Sequence, residues 1–132
     1  MKISTKGRYA IRLMLDLAEQ NTDTPIPLET IAARQDISKK YLESIVKLLV
    51  TGKLVKGIGG KGGGYLLTRK PEEYSVLEIL QLTEESLTSV ACLEEGAELC
   101  PHREKCRTLS MWKGYDDLTR DYFGKITIQD LL

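Results

Sequence analysis

Three cysteines lie close together in the second half of the chain, and the rest of the sequence contains none. Their spacing is Cys92-x7-Cys100-x5-Cys106, and the only histidine, His102, lies between the last two. Zinc sites favour Cys-x2–4-Cys pairs on tight turns, and the sequence has no such pair. Three thiolates on an open loop suit the wider iron–sulfur cluster better, either 2Fe–2S or 4Fe–4S. The pattern therefore predicts Cys92, Cys100 and Cys106 as metal ligands, with His102 as a possible fourth ligand; the alternative is three unrelated buried cysteines.

The cysteine count also indicates a compartment. The chain begins without the apolar core of a signal peptide, and it has no long apolar stretch that could span a membrane. We therefore expect a reducing, cytoplasmic environment, where an odd number of cysteines points to metal or redox chemistry rather than to disulfides.

The formal net charge of zero conceals two oppositely charged halves. Residues 1–70 contain 13 basic and 6 acidic side chains, a net +7, and residues 71–132 carry the opposite −7. A basic half joined to an acidic half indicates that one end of the protein meets a polyanion, although chance could also produce this division.

The hydrophobic periodicity predicts a mainly α fold with one small β-hairpin. Helices are expected over 5–20, 28–35, 39–51, 76–83 and 107–123, and two short strands should flank the glycine-rich segment 56–64. Three helices followed by a hairpin are typical of a winged helix-turn-helix. We therefore expect a DNA-binding domain over residues 1–71, and a cysteine loop with a long C-terminal dimerisation helix over residues 72–132.

The third helix is predicted to be the recognition helix. Its apolar face would pack on the first two helices, which leaves a polar face for the major groove of double-stranded DNA. Lysines suit phosphates or guanine, whereas serine and glutamate can bond base edges. The candidate DNA-binding residues of this helix are Ser38, Lys39, Lys40, Tyr41, Glu43, Ser44 and Lys47. A merely solvated helix face is the alternative for this helix taken alone.

The glycine-rich segment is predicted to form the tip of the wing. Gly57, Gly59 and Gly62 match the spacing of a dinucleotide-binding loop, but they precede a strand instead of opening a helix. Glycines let the backbone approach DNA closely, and Lys61 would supply the charge.

Leu109, Trp112 and Leu118 are predicted to form a dimer interface on the last helix. A homodimer would bind a pseudo-palindromic operator whose half-sites lie about 34–36 Å apart, or a multiple of that distance.

Several short segments, spread over essentially the whole chain, match one known family. They are Met1–Ala10 (MKISTKGRYA), Ile37-Ser38 and Tyr41-Leu42-Glu43, Gly62–Leu67 in the wing, and Cys106, Trp112 and Ile126-Thr127. On these residues the chain resembles the Rrf-two family of bacterial winged-helix regulators, in its IscR- and NsrR-like, cluster-binding branch. The resemblance implies a homodimeric transcriptional regulator, usually a repressor, whose three cysteines ligate an iron–sulfur cluster.

The chain also departs from the family pattern at three positions. Leu109 stands where one cluster-binding group has a histidine ligand, and Arg8 stands where another draws a carboxylate from the first helix. Gly59 stands where a wing arginine enters the minor groove, so Lys61 is expected to substitute for it.

Together these observations predict a DNA-binding regulator switched by an iron–sulfur cluster that responds to cluster status, redox conditions or nitric oxide. Two alternatives stay open: a regulator whose cysteines bind zinc or report thiol oxidation, and a regulator controlled by docking a metabolic enzyme. No arrangement of nucleophile and base is found in the sequence, so we predict no catalytic residues and no enzyme activity.

Overall fold

The computed structural model describes residues 2–132 and confirms the mainly helical fold with one hairpin. The elements are α1 (Thr5–Gln20), α2 (Leu28–Gln35), α3 (Lys39–Thr51), β1 (Val55–Ile58), β2 (Gly64–Leu67), α4 (Val76–Thr83) and α5 (Leu109–Lys125). Short 3-10 turns occur at Pro71–Glu73, Ala91–Leu93, Arg103–Lys105 and Gln129–Leu131. The first three helices and the hairpin form the predicted winged helix-turn-helix.

The main hydrophobic core lies between α1 and α3. Leu13 and Met14 of α1 are fully buried, as are Leu42, Ile45 and Leu49 of α3. These α3 residues recur at intervals of three and four, which places them on one side of the helix and leaves its opposite side in solvent. The core fixes which face of α3 points outward.

A tight turn joins α2 to α3. Asp36 ends α2 with a positive φ of 53°, and the buried Ile37 follows it. The Ser38 side chain then accepts a hydrogen bond from the Tyr41 backbone N–H, at 3.1 Å, and so caps α3. The predicted starts of α2 and α3 are confirmed because these local signals agree with the packing.

The hairpin is longer than the apolar runs predicted. Val55 pairs with Leu67 and Ile58 with Gly64 in an antiparallel register. The sequence indicated β1 only by Leu54-Val55, but backbone pairing continues through residues with exposed side chains, since the ladder needs no apolar side chain. An isolated bridge between Ile26 and Tyr65 also attaches the hairpin to the segment before α2.

Tyr74 ties the wing to the rest of the protein. Its ring is fully buried, and its hydroxyl donates a hydrogen bond of 2.8 Å to the Leu54 carbonyl. The same hydroxyl accepts hydrogen bonds from the backbone N–H groups of Thr68 and Arg69. Tyr74 belongs to the main core although it lies beyond residue 71, so the core continues across the predicted domain boundary.

The second half of the chain adds a smaller core between α4 and α5. Val76, Leu80 and Leu87 are its buried members, and Phe123 and Ile126 pack against them. The last helix begins two residues later than predicted, at Leu109, and it ends two residues later, at Lys125. Among residues 2–132, no helix combines the length and the apolar character needed to cross a bilayer.

Candidate nucleic-acid interface and cysteine pocket

The outer face of α3 carries the predicted DNA-binding side chains. Lys40, Glu43, Ser44 and Lys47 are all exposed. Within residues 2–132, neither Lys40 nor Lys47 forms an ion pair, so both ammonium groups can meet a phosphate. This face has the charge and the exposure that binding to a polyanion requires.

Lys39 differs from its neighbours on α3 because it has a protein partner. Its ammonium group lies 2.5 Å from a carboxylate oxygen of Glu29, in the first turn of α2. The hydrogen bond to Lys39 lowers the pKa of Glu29, and the same contact raises the pKa of Lys39. The pair is solvent-exposed, so it holds Lys39 weakly, and a phosphate can compete with Glu29 for the lysine.

Ser38 and Tyr41 have structural roles at the start of α3. Ser38 caps the helix, while the half-buried Tyr41 packs edge-on against Tyr9 of α1, with ring centroids 5.6 Å apart. The guanidinium carbon of Arg12 lies over the Tyr9 ring, 5.1 Å from its centroid. The first turn of the recognition helix is therefore held directly by α1.

The wing tip is exposed and consists largely of glycine. Gly60 and Gly62 have backbone φ values of 83° and 79°, which residues other than glycine rarely adopt. They flank the exposed Lys61. A groove between the wing and α3 is lined by Gly59 and Gly60 on one side and by Glu43 on the other. Helix α3 and the tip of the wing thus border a common concave surface.

The three cysteines are exposed, and all three line one pocket of about 260 Å³. The pocket lies between the loop that follows α4 and the first turns of α5. Its wall also includes four apolar and four charged side chains: Leu93, Ala97, Leu99, Leu109, Glu94, Glu98, Arg103 and Lys113. Residues 86–105, which the sequence predicts to be irregular, contain only two short 3-10 turns as regular structure.

The thiol of Cys106 has a polar partner close by, the side chain of Thr108. Its sulfur lies 3.6 Å from the Thr108 hydroxyl oxygen, and this hydrogen bond lowers the pKa of the Cys106 thiol. A lower pKa increases the thiolate fraction near neutral pH. The thiolate is the form that binds metals and reacts with oxidants.

The cysteine pocket offers three thiols, but it does not form a preformed site for a single metal ion. Among residues 2–132, no three His, Cys, Asp or Glu side chains come close enough to hold one metal ion. The cysteines nevertheless share one pocket, and a cluster spreads its ligands over a wider space than one ion does. His102 does not line this pocket, whereas Glu94 and Glu98 do.

An apolar stripe runs along α5 on the surface. Met111, Tyr115, Leu118 and Tyr122 repeat at intervals of four and three, and they are 45–71% exposed. Of the three predicted interface residues, only Leu118 lies in this stripe. Leu109 and Trp112 are half-buried, and Leu109 lies about 180° around the helix from Leu118, given about 3.6 residues per turn.

The sequence did not indicate several charged residues that connect separate elements of the fold. The side chain of Asp16 is 1% exposed and pairs with Arg34 of α2. Glu29 and Glu84 also have specific partners, at Lys39 and Ser4. Periodicity could not find them, because each contact joins residues that are far apart in the chain or lie on different helices.

Comparisons with known proteins agree with this architecture. The family model Rrf2, described as an iron-dependent transcriptional regulator, matches residues 3–132. The HTH-type transcriptional regulator IscR of Pectobacterium atrosepticum is 36% identical over 132 residues, which is 100% of this chain and 79% of that protein.

Two solved structures are similar along nearly the whole chain. CymR (YrzC), described as the global cysteine regulator of B. subtilis, superposes with a TM-score of 0.79 at 31% identity, over 99% of this chain and 95% of that one. T. potens IscR superposes with a TM-score of 0.74 at 31% identity, over 99% of this chain and 85% of that one. The chain therefore belongs to the Rrf2 family, the Rrf-two family of winged-helix transcriptional regulators.

Proposed function

We propose that this protein is a homodimeric repressor whose DNA binding is switched by an iron–sulfur cluster on Cys92, Cys100 and Cys106. In this proposal residues 1–71 recognise the operator, while residues 72–132 hold the cluster and the dimer contact. A regulator of bacterial transcription works beside the chromosome, which gives it a cytoplasmic location.

One observation supports the cluster more than any other: three exposed thiols line a single pocket in a protein whose relatives include IscR. Arg103 and Lys113 line the same pocket and would offset the negative charge of a thiolate-bound cluster. When bound, the cluster supplies redox chemistry and a reaction centre for oxygen or nitric oxide.

The protein side chains would supply the remaining parts of the site. The hydrogen bond with the Thr108 hydroxyl lowers the pKa of the Cys106 thiol and so favours the thiolate that would bind the cluster. Leu93, Leu99 and Leu109 cover part of the pocket and would limit the access of water. His102 lies outside the pocket wall, so we assign no ligand role to it in this proposal.

The DNA side of the proposal is supported by the exposed face of α3 and the wing. Lys40, Lys47 and Lys61 would contact phosphates, while Glu43 and Ser44 would read base edges in the major groove. Lys39 would contact DNA only after leaving Glu29. Ser38 and Tyr41 would contribute by setting the angle of the first turn of α3.

A second candidate function is a thiol switch without a cluster. Two observations favour it: Cys106 is an exposed thiol of lowered pKa, and the chain is similar to CymR, a regulator named for cysteine. In this version, oxidation of the thiols themselves would change the loop. The same DNA-binding surface and the same dimer would serve both versions.

The two candidates differ in the colour and the metal content of the protein. Under the main proposal, anaerobically purified protein contains iron and acid-labile sulfide and absorbs broadly across the visible range. Cys92→Ala, Cys100→Ala and Cys106→Ala each lose most of the iron, because each removes a thiolate ligand. His102→Ala is the matched control and keeps the iron and the colour, since His102 does not line the pocket. A colourless wild-type protein without iron would refute the cluster and leave the thiol switch.

The Glu29–Lys39 pair gives a prediction for DNA affinity. Glu29→Gln removes the carboxylate that competes with phosphate, so we expect several-fold tighter binding to duplex DNA of any sequence. The slope of log affinity against log salt should steepen by about 0.9, the value for one additional phosphate contact. Fluorescence anisotropy over a series of salt concentrations measures both quantities. Glu72→Gln, at an exposed carboxylate just after the hairpin, is the control and should leave the slope unchanged; weaker binding by Glu29→Gln would show that Glu29 positions Lys39 for DNA.

The stripe on α5 gives a prediction for assembly. Leu118→Glu puts a charge into the centre of the exposed apolar stripe, so we expect a monomer with its helical content intact. Burying a leucine side chain contributes about 1.5–3 kcal/mol, and each subunit of a symmetric dimer would lose one. Sedimentation velocity measures the mass. Ile58→Glu, at an exposed apolar residue of the wing, should stay dimeric, and a dimeric Leu118→Glu would exclude the stripe as the interface.

A further inference from the structure

Glu84 makes the main polar contact between the start of α1 and the end of α4. Its two carboxylate oxygens accept hydrogen bonds from the Ser4 backbone N–H, at 2.6 Å, and from the Ser4 hydroxyl, at 2.5 Å. Hydrogen bonds to a charged acceptor are stronger than those between neutral groups. The Ser4 hydroxyl also accepts from the Gly7 N–H and so caps α1. One carboxylate therefore holds both donors of the residue that begins the first helix.

The surrounding packing is built for this contact. A Cβ atom added at Gly7 would lie 3.2 Å from the Glu84 carboxyl carbon and both of its oxygens, so the carboxylate rests directly on the glycine. Ile3, one residue before the cap, packs against the smaller core formed by α4 and Leu87. The N-terminal segment is thus anchored to the acidic half of the protein, although α1 itself belongs to the core of the DNA-binding half.

From α1 the connection continues to the recognition helix. A surface pocket beside the Ser4–Glu84 contact is lined by Tyr41 of α3 together with Thr5, Lys6 and Ser86. Tyr41 also packs on Tyr9, which lies five residues after Ser4. A shift of the first turn of α1 would therefore act directly on the first turn of α3.

Along the chain, Glu84 stands at the start of the segment that contains the cysteines. It is the residue immediately after α4, and Cys92 follows eight residues later. Between them Leu87 is buried, and the Ser89 N–H donates to the buried Asp116 of α5 at 2.8 Å. Leu87 and Ser89 lie three and five residues after Glu84, so a rearrangement of the loop that displaces either of them would also move the chain next to Glu84.

We propose that Glu84 is the positioning residue that couples the cysteine loop to the DNA-binding surface. In one state of the loop Glu84 holds Ser4, and α1 keeps Tyr41 and α3 in the observed orientation. In the other state the Ser4 contacts weaken and α3 is released from that orientation. This inference rests on the proposed cluster switch, but it concerns a residue outside the cysteine pocket.

The test compares DNA affinity with and without the cluster. The probe is a labelled duplex that the wild-type protein selects from a random pool, and the quantity is the ratio of its affinities for anaerobically purified and chelator-treated protein. Allosteric ratios are typically about 5- to 150-fold. We expect Glu84→Ala to bring the ratio close to one while it keeps the iron content of the wild type. Glu85→Ala, at the adjacent exposed carboxylate, should keep the wild-type ratio.

Each outcome decides a specific question. An unchanged ratio in Glu84→Ala overturns the coupling role, and an equal loss in Glu85→Ala does so as well, because it would indicate a general charge effect. A wild-type ratio of one would instead refute the proposed cluster switch itself. If Glu84→Ala does not fold, hydrogen exchange of the wild-type protein replaces it. Exchange over residues 3–9 must then differ between the two states, and equal protection overturns the proposal.

Discussion

The buried carboxylate of Asp16 fixes the geometry on which the DNA-binding half depends. It lies in the C-terminal half of α1 and is 1% exposed, and Arg34 donates to both of its oxygens, at 2.7 and 3.1 Å. Gln35 donates a third hydrogen bond of 2.9 Å to the same carboxylate. A buried charge without partners would be strongly destabilising, so these contacts hold the last turn of α2 in place on α1. The turn into α3 begins at the next residue, and the orientation of the recognition helix follows from it.

The two hydrophobic cores then join the DNA-binding half to the rest of the chain. The main core runs from α1 and α3 to Tyr74, whose hydroxyl forms hydrogen bonds with backbone groups of both chain segments at the open end of the hairpin. The smaller core joins α4 to α5 and includes Leu87 at the start of the cysteine loop. The wing is therefore attached to the main core, and the cysteine loop is attached to the smaller core.

The sequence predicted most of the helices because their signals were local. Ser38 caps α3 and Ser75 caps α4 in the structure, and the apolar spacing of α3 identified its buried face. The start of α5 was placed two residues early, because Thr108 acts as its N-terminal boundary without a side-chain cap for the sequence to indicate. The length of the hairpin was underestimated because β1 pairs through Lys56 and Gly57, two residue types that do not indicate a strand in the sequence.

The candidate site was only partly predictable, for a similar reason. Clustering of the cysteines in the sequence indicated a shared role, and the structure adds that they line one pocket. The pairs Asp16–Arg34, Lys39–Glu29 and Ser4–Glu84 join separate elements, so their partners could be found only once the fold was known. Leu118 was grouped with Leu109 and Trp112, but the helical repeat puts Leu118 on the exposed stripe and the other two nearer the body of the protein.

The proposed function requires the cysteine pocket to control DNA binding through a cluster. It is tested by the affinity of anaerobic protein for one selected duplex, before and after chelation, with Cys100→Ala treated in parallel. We expect chelation to change the wild-type affinity by about fivefold or more, the lower end of typical allosteric coupling. Cys100→Ala should bind like the chelated wild type in both conditions. Equal wild-type affinities before and after chelation, in protein shown to have contained iron, would exclude control of DNA binding by the cluster.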